Sequence, residues 1–259
     1  MMPAKVPMSV VIIAKNEADQ IASCLTSAAF ADDLVVVDDF SADRTVEIAR
    51  QHTDHIVQRA MDIEGRHRNW AYAQAKHPWV FSLDADERMT PELAEELIQL
   101  MAVGPTHVIY SVPIRNYLGD YWIQHGGWYP ARKARFFDRR YVRYEEAEVH
   151  PRIRVSQGTH GKLQHDLVHY SYETFDDFVR SLNVQTTLEA QKWVRDERSM
   201  GLGKALWRTG DRFLRAYLWK QGYRDGLVGL VVAYFAGSYQ LLSYAKYWQL
   251  KHTTRPRHG

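Results

Sequence analysis

Residues 79–93 read WVFSLDADERMTPEL, and this stretch decides the fold class. Its first part, from Trp79 to Leu83, is an apolar run, and the carboxylates of Asp84, Asp86 and Glu87 follow it at once. Carboxylates this close repel one another, and removing them from water is costly unless a cation meets them. We therefore expect a buried strand whose carboxyl end faces either water or a metal ion.

The first hundred residues alternate between strand and helix patterns. Apolar runs rich in β-branched residues predict strands at MSVVIIA (8–14), DLVVVDD (33–39), HIVQR (55–59) and WVFSLDAD (79–86). Helical spacing predicts helices at DQIASCLTSAAF (19–30), RTVEIARQH (44–52), EGRHRNWAYAQAK (64–76) and PELAEELIQLMA (91–102). Ser41 and Asp43 are expected to open the second helix, and Thr90 followed by Pro91 the fourth. This alternation is βαβ winding, so an α/β fold with a mostly parallel sheet and helices on both faces is predicted.

The composition excludes several classes of protein. The chain has 259 residues, a formal net charge of +2 and a single cysteine, Cys24. This charge does not indicate nucleic acid as a partner, and one cysteine excludes a disulfide framework and fits a reducing compartment. The apolar run near the N-terminus is short and is followed by Lys15, Asn16 and Glu17, so it is interpreted as the first strand rather than a signal peptide. No glycine-rich dinucleotide or P-loop motif follows a strand.

The polar residues at the strand ends form a candidate site. In open α/β sheets, ligands bind beyond the carboxyl ends of the strands, so Asn16, Asp38, Asp39, Asp84 and Asp86 are expected to line one crevice. An Asp-x-Asp pair at a strand end offers hard oxygen ligands that suit Mg²⁺ or Mn²⁺. The alternative is that these acids are solvated residues of a turn before a helix.

The C-terminal part has a different pattern. Leu206, Phe213 and Leu214 lie near helical spacing among Arg and Lys residues, as in basic amphipathic helices at a membrane interface. Residues 226–245 then contain no charge, a length that just spans a bilayer. Glycine, serine and glutamine dilute this segment, which favours an interfacial or shallowly inserted helical hairpin. A pair of packed helices in a soluble protein or a dimer interface is the alternative.

Several blocks resemble glycosyltransferase family 2, and within it the bacterial lipopolysaccharide core transferases. These blocks are SVVIIAKNEADQIASCLTSA, LVVVDDFSADRTVEIA, GRHRNWAYAQAKHPWVFSLDADERMTPEL, WYPARKARFF and LVHYSYETFDDFVRSLN. The resemblance covers nearly the whole chain and implies a Rossmann-like GT-A fold, a nucleotide-diphospho-sugar donor, a divalent metal and inversion at the anomeric carbon. It divides the chain into a GT-A domain, 1–195, and a helical, membrane-associating tail, 196–259. Within the domain, residues 1–106 are expected to bind the nucleotide sugar and residues 107–195 the acceptor.

The resemblance also implies roles for the crevice residues. Asp39 is similar to the family aspartate that hydrogen-bonds the donor base, usually uracil, with Asp38 beside it. Arg68 matches a basic position that lines the donor pocket. Asp84 is similar to the acid that reaches the ribose and a metal-bound water, and Asp86 to the direct metal ligand. A cation there also fits the chemistry, because a leaving nucleotide diphosphate gains negative charge as the glycosidic bond breaks.

Other roles leave alternatives open. An inverting transfer needs a base for the acceptor hydroxyl, and Glu146 is preferred, with Glu145 and Glu148 behind it. The family often has an acid after the histidine here, whereas this chain has His150 followed by Pro151. His169 is either a further metal ligand or a histidine packed in a strand. Arg132 and Arg135 either reach donor phosphates or an anionic acceptor, or form a solvated basic loop.

The resemblance therefore implies an inverting, metal-dependent hexosyltransferase. The donor is expected to be a UDP-hexose and the acceptor a lipid-linked glycan such as lipopolysaccharide core. The predicted location is the cytoplasmic face of the inner membrane, with the protein peripheral to it. The alternatives are a polyprenyl-phosphate glycosyltransferase and a catalytically inactive protein that binds sugar nucleotides.

Overall fold

The computed structural model describes residues 5–146 and 152–252. The chain forms two compact units. The first contains Met1–Arg115 and Ala131–Tyr170, and the second contains Asn116–Pro130 and Ser171–Gly259.

The elements follow the alternation expected from the sequence and continue it. The strands are β1 (Val6–Ala14), β2 (Ala31–Asp38), β3 (Ile56–Gln58), β4 (Trp79–Asp84), β5 (Glu87–Met89), β6 (Ile109–Val112), β7 (Ile114–Leu118), β8 (Tyr121–Trp122), β9 (Lys133–Asp138), β10 (Val142–Tyr144), β11 (Ile153–Val155), β12 (His160–Lys162) and β13 (Leu167–Tyr172). The α-helices are α1 (Ile21–Ser27), α2 (Thr45–Ala49), α3 (Glu64–Ala73), α4 (Pro91–Val103), α5 (Phe175–Arg195), α6 (Leu202–Leu214) and α7 (Gly226–His252).

The first unit is built on a seven-stranded sheet with the order β12-β6-β9-β4-β1-β2-β3. The four strands from β4 to β3 are parallel, as predicted, and β9 is antiparallel to both β4 and β6. The chain runs from β1 outward to β3 and then crosses to β4 on the other side of β1. The order therefore reverses at β1 and β4, and ligands of open α/β sheets bind at such a point.

Both faces of this sheet are covered by helices. One face buries Val10, Ile12 and Phe81 against residues of α1 and α4, and the other buries Val11 and Val35 against residues of α3. Successive strand residues point to opposite faces, so a strand covered on both sides must be apolar throughout. This is the physical reason for the continuous apolar runs in the sequence, and it confirms the predicted α/β fold.

The two predicted helix starts had different outcomes. Thr90 caps α4 as expected, because its Oγ1 accepts a hydrogen bond from the Leu93 N–H. The assignment of Ser41 and Asp43 to the start of the second helix is wrong, since α2 begins only at Thr45. Ser41 Oγ instead accepts the Asn16 N–H, and Asp43 Oδ2 accepts the Ala18 N–H. These side chains therefore join the loop after β2 to the loop after β1.

The second unit consists mainly of three helices. Thr174 and Asp177 form a capping box at the start of α5. α6 continues through a π-helical turn, Arg215–Trp219, and a 3-10 turn, Gly222–Asp225, leads into α7. α7 packs closely on α6, because a Cβ placed on Gly237 would lie 2.7 Å from the carbonyl oxygen of Thr209. Lys246 joins α7 to α5, since its Nζ donates to Asn183 Oδ1 at 2.7 Å.

The two C-terminal helices expose a large apolar surface. On α6 and its π-helical continuation, this surface consists of Leu202, Leu206, Trp207, Leu214, Leu218 and Trp219. On α7 it consists of Leu227, Leu230, Tyr234, Leu241, Leu242, Trp248 and Leu250. Among the described residues, one helical segment, Gly222–His252, is long and apolar enough to cross a membrane by length and composition, with a mean hydropathy of 1.4 over an 18-residue stretch. The segment 226–245, predicted as a hairpin, lies within the single continuous helix α7, and this helix packs on α6 at Gly237.

Candidate functional site

Two of the predicted site residues hold the loops at the ends of β1 and β2. Asn16 has a φ of 56° and accepts the Ala42 N–H on its Oδ1 at 2.8 Å. Asp38 is fully buried and accepts hydrogen bonds from the Ser41 N–H and from Gln58 Nε2. Asparagine tolerates this left-handed backbone region better than most residues. Both side chains therefore shape the rim of the crevice through contacts within the protein.

Asp39 lies beside an exposed aromatic ring. Its carboxylate accepts hydrogen bonds from Lys15 Nζ at 2.8 Å and from the Met61 N–H at 3.0 Å. Burial opposes ionisation, but the bonds from Lys15 and Met61 lower the pKa of Asp39 below its ordinary value. The next residue, Phe40, is 60% exposed and has a φ of 51°. A left-handed backbone is costly for a bulky residue, so the surrounding loop holds this ring out in a strained conformation.

Asp84 is neutralised by two arginines. Arg135 Nη2 donates to Asp84 Oδ2 at 2.8 Å, and both Nη atoms of Arg68 lie 3.5 Å from Asp84 Oδ1. Arg135 also donates to the fully buried carboxylate of Glu87. Burial would raise the pKa of Asp84, but the charges of Arg135 and Arg68 hold it well below its usual range. The repulsion among the acids of the Asp-x-Asp stretch is therefore relieved in part by arginine.

Asp86 lies in a second, more acidic part of the crevice. Its Oδ2 is 3.1 Å from His169 Nε2, because β13 pairs with β5 in a register that sets His169 opposite Glu87. Glu17, just beyond the end of β1, has its pKa raised to about 7 by burial and by the negative charges of Asp86 and Asp43. Burial is the largest cause of this shift, and negative charges at the ends of β1 and β4 add to it.

The donor set at Asp86 fits a divalent cation. A carboxylate oxygen and an imidazole nitrogen are both ligands of Mn²⁺-type ions, and carboxylates suit Mg²⁺. Within residues 5–146 and 152–252, no group of three or more His, Cys, Asp or Glu side chains is arranged to hold a metal ion. A cation at Asp86 and His169 would thus have few protein ligands and would keep coordination positions open for other oxygen atoms.

A cavity of about 320 Å³ opens beside Asp84. It is lined by Glu64, Arg68, Asp84, Lys133, Ala134, Arg135, Tyr144 and Ile153. The cations of Arg68, Lys133 and Arg135 outnumber the two carboxylates in its lining, so the cavity is positively charged overall. The Nε–H of Arg135 is buried without a hydrogen-bond partner in the described part of the chain. An unpaired buried donor requires an explanation, and Arg135 itself lines a cavity whose excess of cations suits an anion.

The remaining predicted residues form contacts with other partners. Glu146 Oε2 accepts Arg66 Nη2 at 2.8 Å on the exposed side of α3, and Glu145 pairs with Arg154 at 2.9 Å. Arg132 Nη1 donates to the carbonyl oxygen of Leu163 at 2.7 Å. Glu148, the third candidate base, lies outside the described residues.

The structure adds four residues that the sequence analysis did not select as site residues. Glu17 lies near Asp86, Phe40 follows Asp39 with its ring exposed, Lys133 lines the cavity, and Glu87 is the buried partner of Arg135. A strand end followed by an acid was a usable signal for Glu17, because Asn16 was selected on the same ground. No signal in the sequence indicates that Phe40 is exposed, since isolated aromatic residues are usually buried.

The comparison with protein families decides the identity of the chain. The model of the family described as "Glycosyl transferase family 2" matches residues 9–160, which include the strand ends that form the crevice. The chain belongs to glycosyl transferase family 2. It is therefore a glycosyltransferase, as the resemblance implied.

Curated relatives of this family 2 transferase differ in how much of it they match. The lipopolysaccharide core biosynthesis glycosyltransferase LpsC of Rhizobium meliloti (strain 1021) is 28% identical over 98% of this chain and 96% of its own length. An uncharacterized glycosyltransferase of Rickettsia bellii (strain RML369-C) is 33% identical over 37% of this chain and 33% of its own length. The similarity to LpsC thus includes both units.

Solved structures similar to this transferase include two bacterial proteins. Staphylococcus aureus TarS 1-349 matches 96% of this chain and 93% of its own, with 15% identity and a TM-score of 0.47. Glucosyl-3-phosphoglycerate synthase from Mycobacterium tuberculosis, in complex with Mn²⁺ and uridine-diphosphate-glucose, matches 42% of this chain and 44% of its own, with 22% identity and a TM-score of 0.37.

Proposed function

We propose that this transferase moves a hexose, with inversion, from a UDP-sugar to a lipid-linked glycan of the lipopolysaccharide core type. The observation that carries the proposal is the crevice itself, where Asp84 lines a cavity with three cations and Asp86, two residues later, contacts His169. The full-length similarity to LpsC supports the choice of acceptor.

The residues of the crevice suit the parts of a nucleotide-diphospho-sugar. Asp39 has an ionised carboxylate for the N–H of a base, and Phe40 offers a flat apolar face for the base to stack on. Arg68, Lys133 and Arg135, which line the cavity, suit the diphosphate, because cationic side chains, and guanidinium groups above all, bind phosphate oxygens strongly. Donor binding in this proposal rests on side chains of a single unit.

Asp86 and His169 would hold the divalent cation, which would stabilise the negative charge that develops on the departing nucleotide diphosphate. The excess of negative charge that raises the pKa of Glu17 favours a cation at this position. Asp84 is turned toward Arg68 and Arg135, so its part is to position these guanidinium groups next to the donor.

Glu146 remains the proposed base for the acceptor hydroxyl, with Glu145 and Glu148 as alternatives. In the structure, the Glu146 carboxylate is ionically paired with Arg66, and the side chain is 59% exposed. It must leave this pair to accept a proton from an acceptor. Replacing Glu146 with Gln is therefore expected to abolish transfer while donor binding persists.

The helices of the second unit suit a position at the membrane surface. Along α6 and the start of its π-helical continuation, an exposed apolar stripe of Leu202, Leu206 and Leu214 runs beside a basic stripe of Lys204, Arg208, Arg212 and Arg215. Residues three and four apart share one face of a helix, so the two stripes are separate faces. A helix with adjacent apolar and basic faces binds in the plane of an anionic membrane interface. We propose that the transferase is peripheral at the cytoplasmic face of the inner membrane.

Calorimetry of UDP binding tests the donor site. The wild type is titrated with UDP in the presence and absence of Mn²⁺, alongside Asp86→Asn and, as a control, Glu92→Gln on the exposed start of α4. We expect Mn²⁺-dependent binding that weakens roughly tenfold or more in Asp86→Asn and is unchanged in the control. UDP binding that is equal with and without Mn²⁺ would contradict the assigned cation site.

Transfer assays then separate the alternatives for the acceptor. The purified full chain is supplied with radiolabelled UDP-hexoses and either lipopolysaccharide core glycolipid or polyprenyl phosphate. Label transferred to the core glycolipid supports the proposal, and label transferred only to polyprenyl phosphate supports the alternative reaction. UDP binding with no transfer to either acceptor would identify a sugar-nucleotide-binding protein.

A further inference from the structure

The helical unit contains a cavity of about 610 Å³, which the transfer reaction proposed above does not use. It lies between α6 and α7 and is lined by Gly126, Glu189, Arg198, Trp207, Arg208, Asp211, Arg212, Arg215, Ala216, Lys220, Ala236 and Gln240. All of these residues belong to the second unit. A cavity of this size is within the range of small-molecule sites.

The walls of this cavity are strongly basic. Five cations line it against two carboxylates, and Asp211 is already paired with Arg215 at 2.9 Å. Over the described ranges, no carboxylate lies within ion-pair distance of Arg208, Arg212 or Lys220. Like charges held around one space repel, so this arrangement is stabilised when an anion enters.

Gln240 adds a polar group that also lacks a partner. This residue of α7 is 2% exposed, lines the cavity, and its Oε1 accepts no hydrogen bond from any described residue. An unsatisfied buried acceptor is unfavourable, and a hydroxyl group in the cavity would satisfy it. The basic walls and this acceptor together call for a ligand that carries a phosphate next to hydroxyl groups.

The rim of the cavity is apolar on one side. Trp207 lines the cavity and is 68% exposed, and the neighbouring Leu206 and Leu214 belong to the exposed apolar stripe of α6. Such a rim accommodates the hydrocarbon part of an amphiphile whose polar group lies among the arginines. We propose that this cavity binds a phosphate group flanked by hydroxyls, as on the headgroup of a phosphorylated lipid, separately from the sugar-nucleotide site.

Vesicle binding by the full chain tests the assignment. Sedimentation is compared between phosphatidylcholine vesicles and vesicles that also contain phosphatidylglycerol, whose headgroup carries a phosphate and two hydroxyls. Arg208→Gln combined with Arg212→Gln removes two cations from the cavity. Each basic contact near an anionic surface contributes a factor of roughly five, so the double variant should lose roughly 25-fold in affinity for phosphatidylglycerol vesicles.

A matched control separates a local site from diffuse attraction. Lys192→Gln combined with Arg224→Gln removes the same charge from the same unit without altering the cavity lining or the basic stripe of α6. We expect this control to keep most of its affinity for phosphatidylglycerol vesicles. An equal loss in both double variants would overturn the proposal, because the attraction would then depend on total charge and not on the cavity.

Two further measurements identify the source of the phosphate and exclude misfolding. Glycerol 1-phosphate is titrated in the absence of vesicles, and binding that is lost in the cavity variant, together with no preference for phosphatidylglycerol vesicles, assigns the site to a free phosphate ester rather than to a lipid. If the wild type binds neither phosphatidylglycerol vesicles nor glycerol 1-phosphate, the proposal is also overturned. UDP binding by the cavity variant should equal that of the wild type, which shows that the chain is folded and that this outcome is independent of the donor site. Affinity for pure phosphatidylcholine vesicles, which carry no net charge, measures the contribution of the apolar helix faces alone.

Discussion

Replacing Arg135 with Met should remove the main counter-charge of the crevice. Arg135 is 4% exposed and is held between Glu87, which is fully buried, and Asp84. Without the guanidinium group, Glu87 keeps a buried negative charge that no other described cation pairs with. Removing one partner of a buried ion pair costs about 3–5 kcal/mol in the free energy of unfolding. For a domain of this size, the corresponding decrease in Tm is roughly 6–20 °C.

The second half of the experiment is a double-mutant cycle. Glu87→Gln in the Arg135→Met background removes the stranded charge, while the amide oxygen still accepts the Asp84 N–H that Glu87 accepts in the wild type. We expect the double variant to recover roughly half or more of the loss, because the two single changes act on one interaction. Thermal unfolding followed by near-ultraviolet circular dichroism measures all four proteins.

The pH dependence of Arg135→Met supplies an independent check. Burial raises the pKa of Glu87 even in the wild type, and loss of Arg135 should raise it further. A carboxyl group whose pKa is raised by folding binds a proton that the unfolded chain releases, so the defect should grow as the pH rises above about 4.5. Arg132→Met, three residues earlier and bound to a backbone carbonyl, is the control and should cost under about 1 kcal/mol. A loss below about 1 kcal/mol in Arg135→Met, with no compensation by Glu87→Gln, would refute the role of Arg135 as counter-ion.

Three further changes test other parts of the structure. The pKa of Glu17 is raised to about 7, so the free energy of unfolding of the wild type without divalent cations should fall by roughly 1–3 kcal/mol relative to that of Glu17→Gln as the pH rises from about 5 to about 8. Added Mn²⁺ should reduce this difference. Urea denaturation measures both pH profiles, and parallel profiles would contradict the raised pKa. Phe40→Ala should weaken UDP binding by about fivefold or more in calorimetry, whereas Phe40→Trp should retain it; equal affinities in all three proteins would exclude stacking. Gly237→Ala should destabilise the second unit by about 1–3 kcal/mol, because the new methyl group would collide with the Thr209 carbonyl oxygen. Gly210→Ala is the control: its methyl group would meet no atom within 4 Å, so it should stabilise the second unit by about 0.4–1 kcal/mol in the same thermal assay.

The sequence alone determined the α/β fold, the parallel strands and the edge of the sheet at which the acids lie. These features are local, because a strand covered on both faces must be apolar along its length and its polar residues must follow its end. The Thr90 cap was equally readable, since a cap depends on its own helix. The sequence blocks that resemble glycosyltransferase family 2 also predicted the class of reaction.

Only the tertiary structure decided which charges meet. Arg135 reaches Asp84 across 51 positions because β9 pairs antiparallel with β4 and sets Phe136 opposite Phe81. His169 reaches Asp86 across 83 positions through the pairing of β13 with β5. The basic cavity in the helical unit likewise depends on the close approach of α6 to α7 at Gly237. Such contacts follow from the path and register of distant segments, which no local periodicity of the chain encodes.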